Sequence, residues 1–220
     1  MDKKVKTKEL FDCKVLYLSE FFNSFLYPWE MLPKLKDYIW GQINKGIEGY
    51  ELYAEGVLVG KNVKIYPTAV IEAPAIIGEG TEIRPGAFIR GAVITGSDCV
   101  IGNSTELKNC VLLDHVQVPH YNYVGDSILG NFAHMGAGSI CSNLKSDGKA
   151  VVIHGDKEYE TGLRKIGGIL ADGADVGCGC VLNPGTVIGR STNVYPLSSV
   201  RGSVPPNSIF KSQNNIVSKK

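Results

Sequence analysis

The sequence predicts an all-β fold, a solenoid of short stacked parallel strands carrying a small α-helical segment at its N-terminal end. Three observations lead there: a six-residue periodicity that starts at Val59, 26 glycines among 220 residues with only 9% aromatics, and a first fifty residues whose apolar spacing is helical. A period of six belongs neither to a helix nor to a hairpin ladder, whose periods are about 3.6 and 2. It suits a chain that turns a corner every few residues, with Gly, Asn or Pro at the corners.

The units after VGKNVK read IYPTAV, IEAPAI, IGEGTE, IRPGAF, IRGAVI, TGSDCV, IGNSTE and LKNCVL. Their first place is aliphatic except at Thr95. Their fifth place is small or β-branched: Ala69, Ala75, Thr81, Ala87, Val93, Cys99, Thr105 and Val111. The same phase returns as LADGAD, VGCGCV, LNPGTV, IGRSTN, VYPLSS and VRGSVP, with Ala174, Cys180, Thr186, Thr192, Ser198 and Val204 in fifth place. First- and fifth-place side chains are therefore expected to point inward, and stacking of like on like to supply the stability. This pattern resembles the left-handed parallel β-helix family, in which three units make one triangular coil. The resemblance implies the handedness. It also implies that side chains lying directly above one another are three units apart in sequence.

Residues 1–53 lie outside the repeat. Leu18, Phe21, Phe22 and Phe25, then Leu32, Leu35, Ile39 and Ile43, are spaced for helices interrupted at Pro28 and Pro33. A helical cap over the open first coil is expected, because solenoid ends need covering. The repeat spans 54–206. Residues 144–165 are polar and out of phase and are expected to protrude as a loop, and 207–220 form a tail.

Composition narrows the function. With 23 basic and 22 acidic residues the chain has no general field for nucleic acid or an anionic membrane. The start, MDKKVKTKEL, does not read as a signal peptide, and no apolar run is long enough to span a bilayer, so a cytoplasmic location is expected. Six cysteines in a reducing compartment read as free thiols in turns or core, since Cys178-Gly-Cys180 lacks zinc-knuckle spacing.

After Pro119 the phase breaks: the next aliphatic-Gly pairs, Val124-Gly125, Leu129-Gly130 and Met135-Gly136, are spaced five and then six. HYNYVGDS, residues 120–127, sits at the slip, and irregular spots on a regular scaffold are where sites tend to be. This stretch, with Gly136-Ala137-Gly138-Ser139 and Asn143, resembles the acetyltransferase half of the bifunctional N-acetylglucosamine-1-phosphate uridyltransferase/glucosamine-1-phosphate acetyltransferases. Asn143-Leu144, Thr161-Gly162-Leu163-Arg164-Lys165 and Asn183-Pro184-Gly185 bring it closer to the archaeal sugar-1-phosphate nucleotidylyltransferase/acetyltransferase branch. The resemblance covers roughly residues 84–206. The first 53 residues hold only Gly41, Gly46 and Gly49, without a clustered phosphate loop, so the nucleotidyltransferase domain of that family is expected to be absent from the chain.

The resemblance implies acetyl transfer from acetyl-CoA to the amine of a hexosamine 1-phosphate, in nucleotide-sugar biosynthesis, by a homotrimer, with no metal. It puts His120 at the general-base position. Arg90, Lys108, Tyr123, His134, Asn143 and Lys149 take substrate-binding positions, and Ala137, Cys178 and Pro196 take coenzyme-binding positions. Arg90 is preferred to Arg84 because it stands three units, one full coil, before Lys108. His134 stands where the bacterial enzymes have an asparagine and Cys178 where they have a serine, and the tail cations reduce to Lys211, Lys219 and Lys220. Two other readings remain. One is a non-catalytic sugar-phosphate-binding or scaffold subunit for a separate nucleotidyltransferase. The other is a zinc enzyme resembling γ-type carbonic anhydrases, suggested by the His115/His120 spacing with His134 as a third ligand.

Overall fold

A computed structural model describes residues 4–219; Lys220 of the cationic tail lies outside it. The chain winds into a three-sided parallel β-helix. The first face stacks Val57–Val59, Ala75–Ile77, Val93–Thr95, Cys110–Leu112, Ile128–Leu129, Gly168–Leu170, Thr186–Ile188 and Ser203–Val204. The second stacks Lys64–Ile65, Glu82–Ile83, Val100–Asn103, Gln117–His120, His134–Met135, Asp175–Val176, Asn193–Val194 and Ser208–Ser212. The third stacks Val70–Glu72, Phe88–Arg90, Glu106–Lys108, Tyr123–Gly125, Ile140–Cys141, Val181–Leu182 and Ser199–Val200. An antiparallel strand covers one edge of each of the first two sheets, Glu51–Ala54 on Val57–Val59 and Asn215–Ser218 on Ser208–Ser212. At those two edges no parallel strand is left open for pairing with another chain.

The inward pattern is the one read from the repeat. In one coil Ala75, Ile77, Thr81, Ile83, Ala87 and Ile89 are all buried, the small residue of each pair next to the corner and the isoleucine filling the axis. Buried hydroxyls in this column bond to backbone carbonyls, as Thr81 does to Gly96 and Thr105 to Val118, so they cost little inside an apolar core.

Coil length is where the structure departs from the sequence reading. Ala75 pairs with Val93, three full units on, but Val93 pairs with Cys110 and Val111 with Ile128, each one residue short of three units. The first residue is lost at Asn109, a coil before the visible break after Pro119, and the second at Asp126 inside HYNYVGDS. The corner that Gly91 and Ala92 make with two left-handed residues is made at Asn109 (φ 47°) and Asp126 (φ 49°) with one. Asn and Asp tolerate that conformation better than other non-glycine residues. In consequence Cys110, not Val111, takes the inward fifth place, and Leu112 replaces Leu113 on the axis; Val111 and Leu113 turn outward.

The N-terminal helices are α1 (Thr7–Leu10), α2 (Leu16–Asn23), a 3-10 stretch (Pro28–Lys34) and α3 (Leu35–Lys45). They lie along the first face and not across the open first coil. Leu18, Phe22, Trp29, Met31, Leu35 and Ile39 form a second core with the outward middle residues of the first-face strands, Ile76, Ile94, Val111, Ile128, Ile169 and Val187. A face with aliphatic side chains on both sides needs two covers, and the helices supply the outer one. The insertion at 144–165 only partly protrudes. It lies in the chain between Ile128 and that residue's partner Ile169, and folds into a hairpin, Val152–His154 on Glu158–Glu160. Val151 and Ile153 join the outer core, and Tyr159 packs 5.1 Å from Tyr27 and 5.9 Å from Trp29. None of the helices among the described residues is long and apolar enough to cross a membrane.

This arrangement makes the first face the stability-determining one. Ile169→Ala is expected to cost about 2–5 kcal/mol in urea unfolding, and Val181→Ala on the open third face less than about 1 kcal/mol. Equal losses would contradict the two-sided burial.

Candidate functional site

The side chains singled out in the sequence fall into two groups, one along the edge between the second and third faces and one across the third face toward its corner with the first. The first group is a vertical column. Gln117 pairs with His134 and Val118 with Ile101, which puts His120, Ala137, Cys178 and Pro196 one above another at the end of four successive second-face strands. Backbone bonds step up the same edge: Gly138 N–H to His120 O at 3.0 Å, Gly179 N–H to Ala137 O at 2.9 Å and Leu197 N–H to Cys178 O at 2.8 Å. Gly138 and Gly179 hold positive φ; a Cβ on Gly138 would meet nothing within 4 Å, whereas one on Gly179 would come 2.8 Å from the Leu197 side chain, so the edge is bare at Gly138 and closed by Leu197 at Gly179. Tyr121 and Leu197 bound this strip below and above, 64% and 86% exposed.

Of the neighbouring Gly136 and Ala137 backbone amides, one is already used. Gly136 N–H donates to Val176 O at 2.7 Å, whereas the amides of Ala137 and Cys178 make no backbone hydrogen bond among the described residues. His120 is exposed, and its imidazole has no hydrogen-bond or ion-pair partner among the described residues. What holds it in place is the turn that follows. Asn122, buried, accepts the His120 N–H at 3.1 Å and donates to Gly136 O and Ser139 O at 2.9 and 3.1 Å, tying the turn to the next coil.

The second group lies on the third face. Ile89 pairs with Leu107, so Arg90 and Lys108 are adjacent, while Arg84 stands on the second face and pairs with Glu82 at 3.2 Å. Arg90 pairs with Glu106 at 2.7 Å, and that carboxylate raises the already high guanidinium pKa. Tyr123 sits between Glu106 and Ile140; burial pushes its phenol up, and the Glu106 charge adds to the shift. Asn143 Nδ2 reaches both Tyr123 Oη at 3.2 Å and Asp126 at 2.5 Å.

Asp126, absent from the candidates drawn from sequence, is the hub of this group. It is 5% exposed, accepts Asn109 Nδ2 at 2.8 Å as well as Asn143, and lies 3.7 Å from Lys108 Nζ. Asn109 and Asp126 are the two single-residue corners. They stand 17 apart, a spacing that marks the pair once both shortened coils are known.

Two candidates stay apart from these groups. Lys149 lies in the insertion, where its backbone N–H donates to Asp147 at 3.0 Å; that bond first, and Lys145 after it, hold the Asp147 carboxyl below the usual range. No hydrogen bond or ion pair joins Lys149 to Tyr123 or Asn143 among the described residues. His134 starts its strand on the second face, with Nδ1 2.8 Å from Asp175 Oδ1, and Asn193 donates to the other carboxylate oxygen at 2.7 Å. The histidines of the zinc reading do not converge: His115 lies at the other corner beside Asp98 and stacks on Phe132 at 4.6 Å, and His134 is engaged by Asp175. No group of three or more metal-ligating side chains gathers among the described residues.

Removing the hub carboxylate strands two amides and a lysine in a half-buried place. Asp126→Ala is expected to lower stability by about 3 kcal/mol, measured by urea unfolding. A change below about 0.5 kcal/mol would show that the cluster is a loose surface network.

A family profile described as the GMPPB C-terminal domain matches residues 72–157. The bifunctional protein GlmU of Methanococcus aeolicus is 30% identical over 224 residues, covering 94% of this chain and 51% of the relative. The bifunctional sugar-1-phosphate nucleotidylyltransferase/acetyltransferase of Sulfurisphaera tokodaii is 31% identical over 166 residues, covering 70% of this chain and 41% of the relative. Among solved structures, PerB from Caulobacter crescentus, in complex with CoA and GDP-perosamine, is 20% identical. The match covers 67% of this chain and 52% of that one at a TM-score of 0.41. The chain spans about half the length of the curated relatives it matches. The resemblance read from HYNYVGDS and its companions is borne out: the chain is similar over most of its length to the GlmU and sugar-1-phosphate nucleotidylyltransferase/acetyltransferase proteins.

Proposed function

We propose that the protein transfers acetyl from acetyl-CoA to the amine of a hexosamine 1-phosphate. The observation that carries this reading is the succession of two surfaces around the coil, an edge strip and the third face that follows it. A strip without a side chain at Gly138, where the amides of Ala137 and Cys178 have no backbone partner among the described residues, runs above His120, and the cationic, hydrogen-bonding third face with Arg90, Lys108, Tyr123 and Asn143 follows it.

Each part has a task. The bare strip accepts the extended arm of the coenzyme along Ala137, Cys178 and Pro196, where backbone can approach closely. Ala137 N–H then stabilises the negative charge that develops on the thioester oxygen. His120, whose imidazole has no partner among the described residues, takes the proton from the attacking amine, a role for which imidazole is suited near neutrality. Lys108 and Arg90 attract the sugar phosphate, and their carboxylate partners Asp126 and Glu106 keep them in position until it arrives. Tyr123 and Asn143 supply hydrogen bonds to the sugar. Lys149 and Cys178 belong to this reading as further contacts, and His134, on the second face beside Asp175, is given no sugar contact in it. A homotrimer goes with it on the resemblance, a separate nucleotidyltransferase on the domain expected to be absent from the chain, and a cytoplasmic location on the reading of the sequence.

The test is incubation of purified protein with acetyl-CoA and a panel of hexosamine 1-phosphates, with acetylated sugar followed by mass spectrometry. Turnover that falls by about 100-fold or more in His120→Ala is expected. No product from any amine would contradict the reading and favour a binding subunit.

A further inference from the structure

The second face carries a proton-transfer pair that acetyl transfer by His120 leaves without a task. His134 Nδ1 lies 2.8 Å from Asp175 Oδ1, and Asp175 Oδ2 accepts Asn193 Nδ2 at 2.7 Å. The three residues stack directly on successive coils, His134 on Asp175 and Asp175 on Asn193. A carboxylate only accepts, so Nδ1 carries its hydrogen toward Asp175 and Nε2 is turned to the free side of the ring. Asn193 fixes the carboxylate, and the carboxylate fixes the orientation of the imidazole. The other neighbour in the stack, Gln117 on the preceding coil, is uncharged, so Asp175 is the charged group in the column on either side of His134. His134 is only 39% exposed in its side chain and Asp175 48%, so the pair is reachable from solvent yet held by the sheet.

Its position assigns the direction in which it acts. Along the surface the order is His134 on the second face, the Ala137 and Cys178 strip at the edge, and Tyr123 and Asn143 on the third face. His134 and Ala137 share one coil and are three residues apart, about 10 Å along an extended chain. An amine held on the third face attacks the thioester from one side of the edge. That approach would leave the second-face side, where His134 lies, to the departing sulfur.

We propose that His134, oriented by Asp175, is the proton donor to the thiolate that leaves the coenzyme. The proposal rests on the acetyl-transfer reading above. His134 enters the step with a proton on each ring nitrogen. The amine nitrogen bonds to the acetyl carbon and passes its proton to His120. The carbon–sulfur bond breaks, and the proton on His134 Nε2 passes to sulfur, directly or through one water. His134 is left neutral with Nδ1–H still on Asp175. Solvent then takes the proton from His120 and returns one to His134, so the two histidines end as they began. Asp175 and Asn193 are positioning residues.

The experiment compares two acetyl donors with glucosamine 1-phosphate as acceptor: acetyl-CoA, and S-(p-nitrophenyl) thioacetate, whose thiolate is stable enough to leave without an acid. His134→Gln is expected to lower kcat with acetyl-CoA by about 100-fold at unchanged KM for the coenzyme, and to match wild type with the aryl thioester. Asp175→Asn is expected to show the same dependence on leaving group with a smaller loss, which a merely structural role would not produce. His120→Ala slows both donors. Thermal unfolding of each variant checks that the coils remain stacked. A His134→Gln protein as fast as wild type on acetyl-CoA, or slowed equally on both donors, overturns the acid while leaving acetyl transfer standing. Wild-type protein that transfers from neither donor overturns both.

Discussion

The register between neighbouring coils is the constraint on which everything else depends. Each strand of the three stacked faces is short and buries almost nothing by itself, so it persists only because the coils on either side match it hydrogen bond for hydrogen bond. That matching converts sequence separation into spatial adjacency. Side chains 17, 18 or 41 apart become neighbours, and a residue at a coil's corner is repeated as a column up the edge. The His120–Ala137–Cys178–Pro196 column and the Arg90–Lys108 pair are both products of this rule.

The two shortened corners show how a regular scaffold acquires an irregular function. Dropping a residue at Asn109 and again at Asp126 draws the corner between the third and first faces inward. The polar side chains of those corner residues then face each other across adjacent coils. Asp126 is thereby sunk beside Lys108 and Asn143, where a carboxylate is tolerated only because Asn109, Asn143 and Lys108 answer it. The same network that satisfies the buried acid presents a lysine and an amide to the open face. In the proposed reading stability and ligand recognition use one set of contacts, whereas among the described residues the helices that cover the first face contribute no side chain to either group.

Much of this was legible in the residues, and what was not has identifiable causes. Inward positions from Ala75 to Thr105 could be read directly, because small fifth-place side chains alternate with aliphatic ones in a fixed phase. The slip at Asn109 could not: Cys110 and Val111 are both apolar and fit the same pattern in either register, so the phase looked intact until Pro119. The helical spacing of Leu18, Phe22, Leu35 and Ile39 announced an apolar stripe without saying which surface it covers; the outward Ile76, Ile94 and Ile169 decide that, and in sequence they pass as part of the repeat. Asp126 read as half of a Gly-Asp turn, since burial of a carboxylate depends on partners one coil away on each side. His134 was visible only as a departure from a motif, because its partner Asp175 lies far along the chain, beyond the insertion.

The claim that the edge between the second and third faces is the place of reaction is tested most directly by a crystal structure of the protein with acetyl-CoA bound. The account predicts the thioester against the Ala137 and Cys178 amides, above His120, with its sulfur on the second-face side and its carbonyl open to the third. A coenzyme seated elsewhere, with the strip at Gly138 and Gly179 left empty, would contradict it.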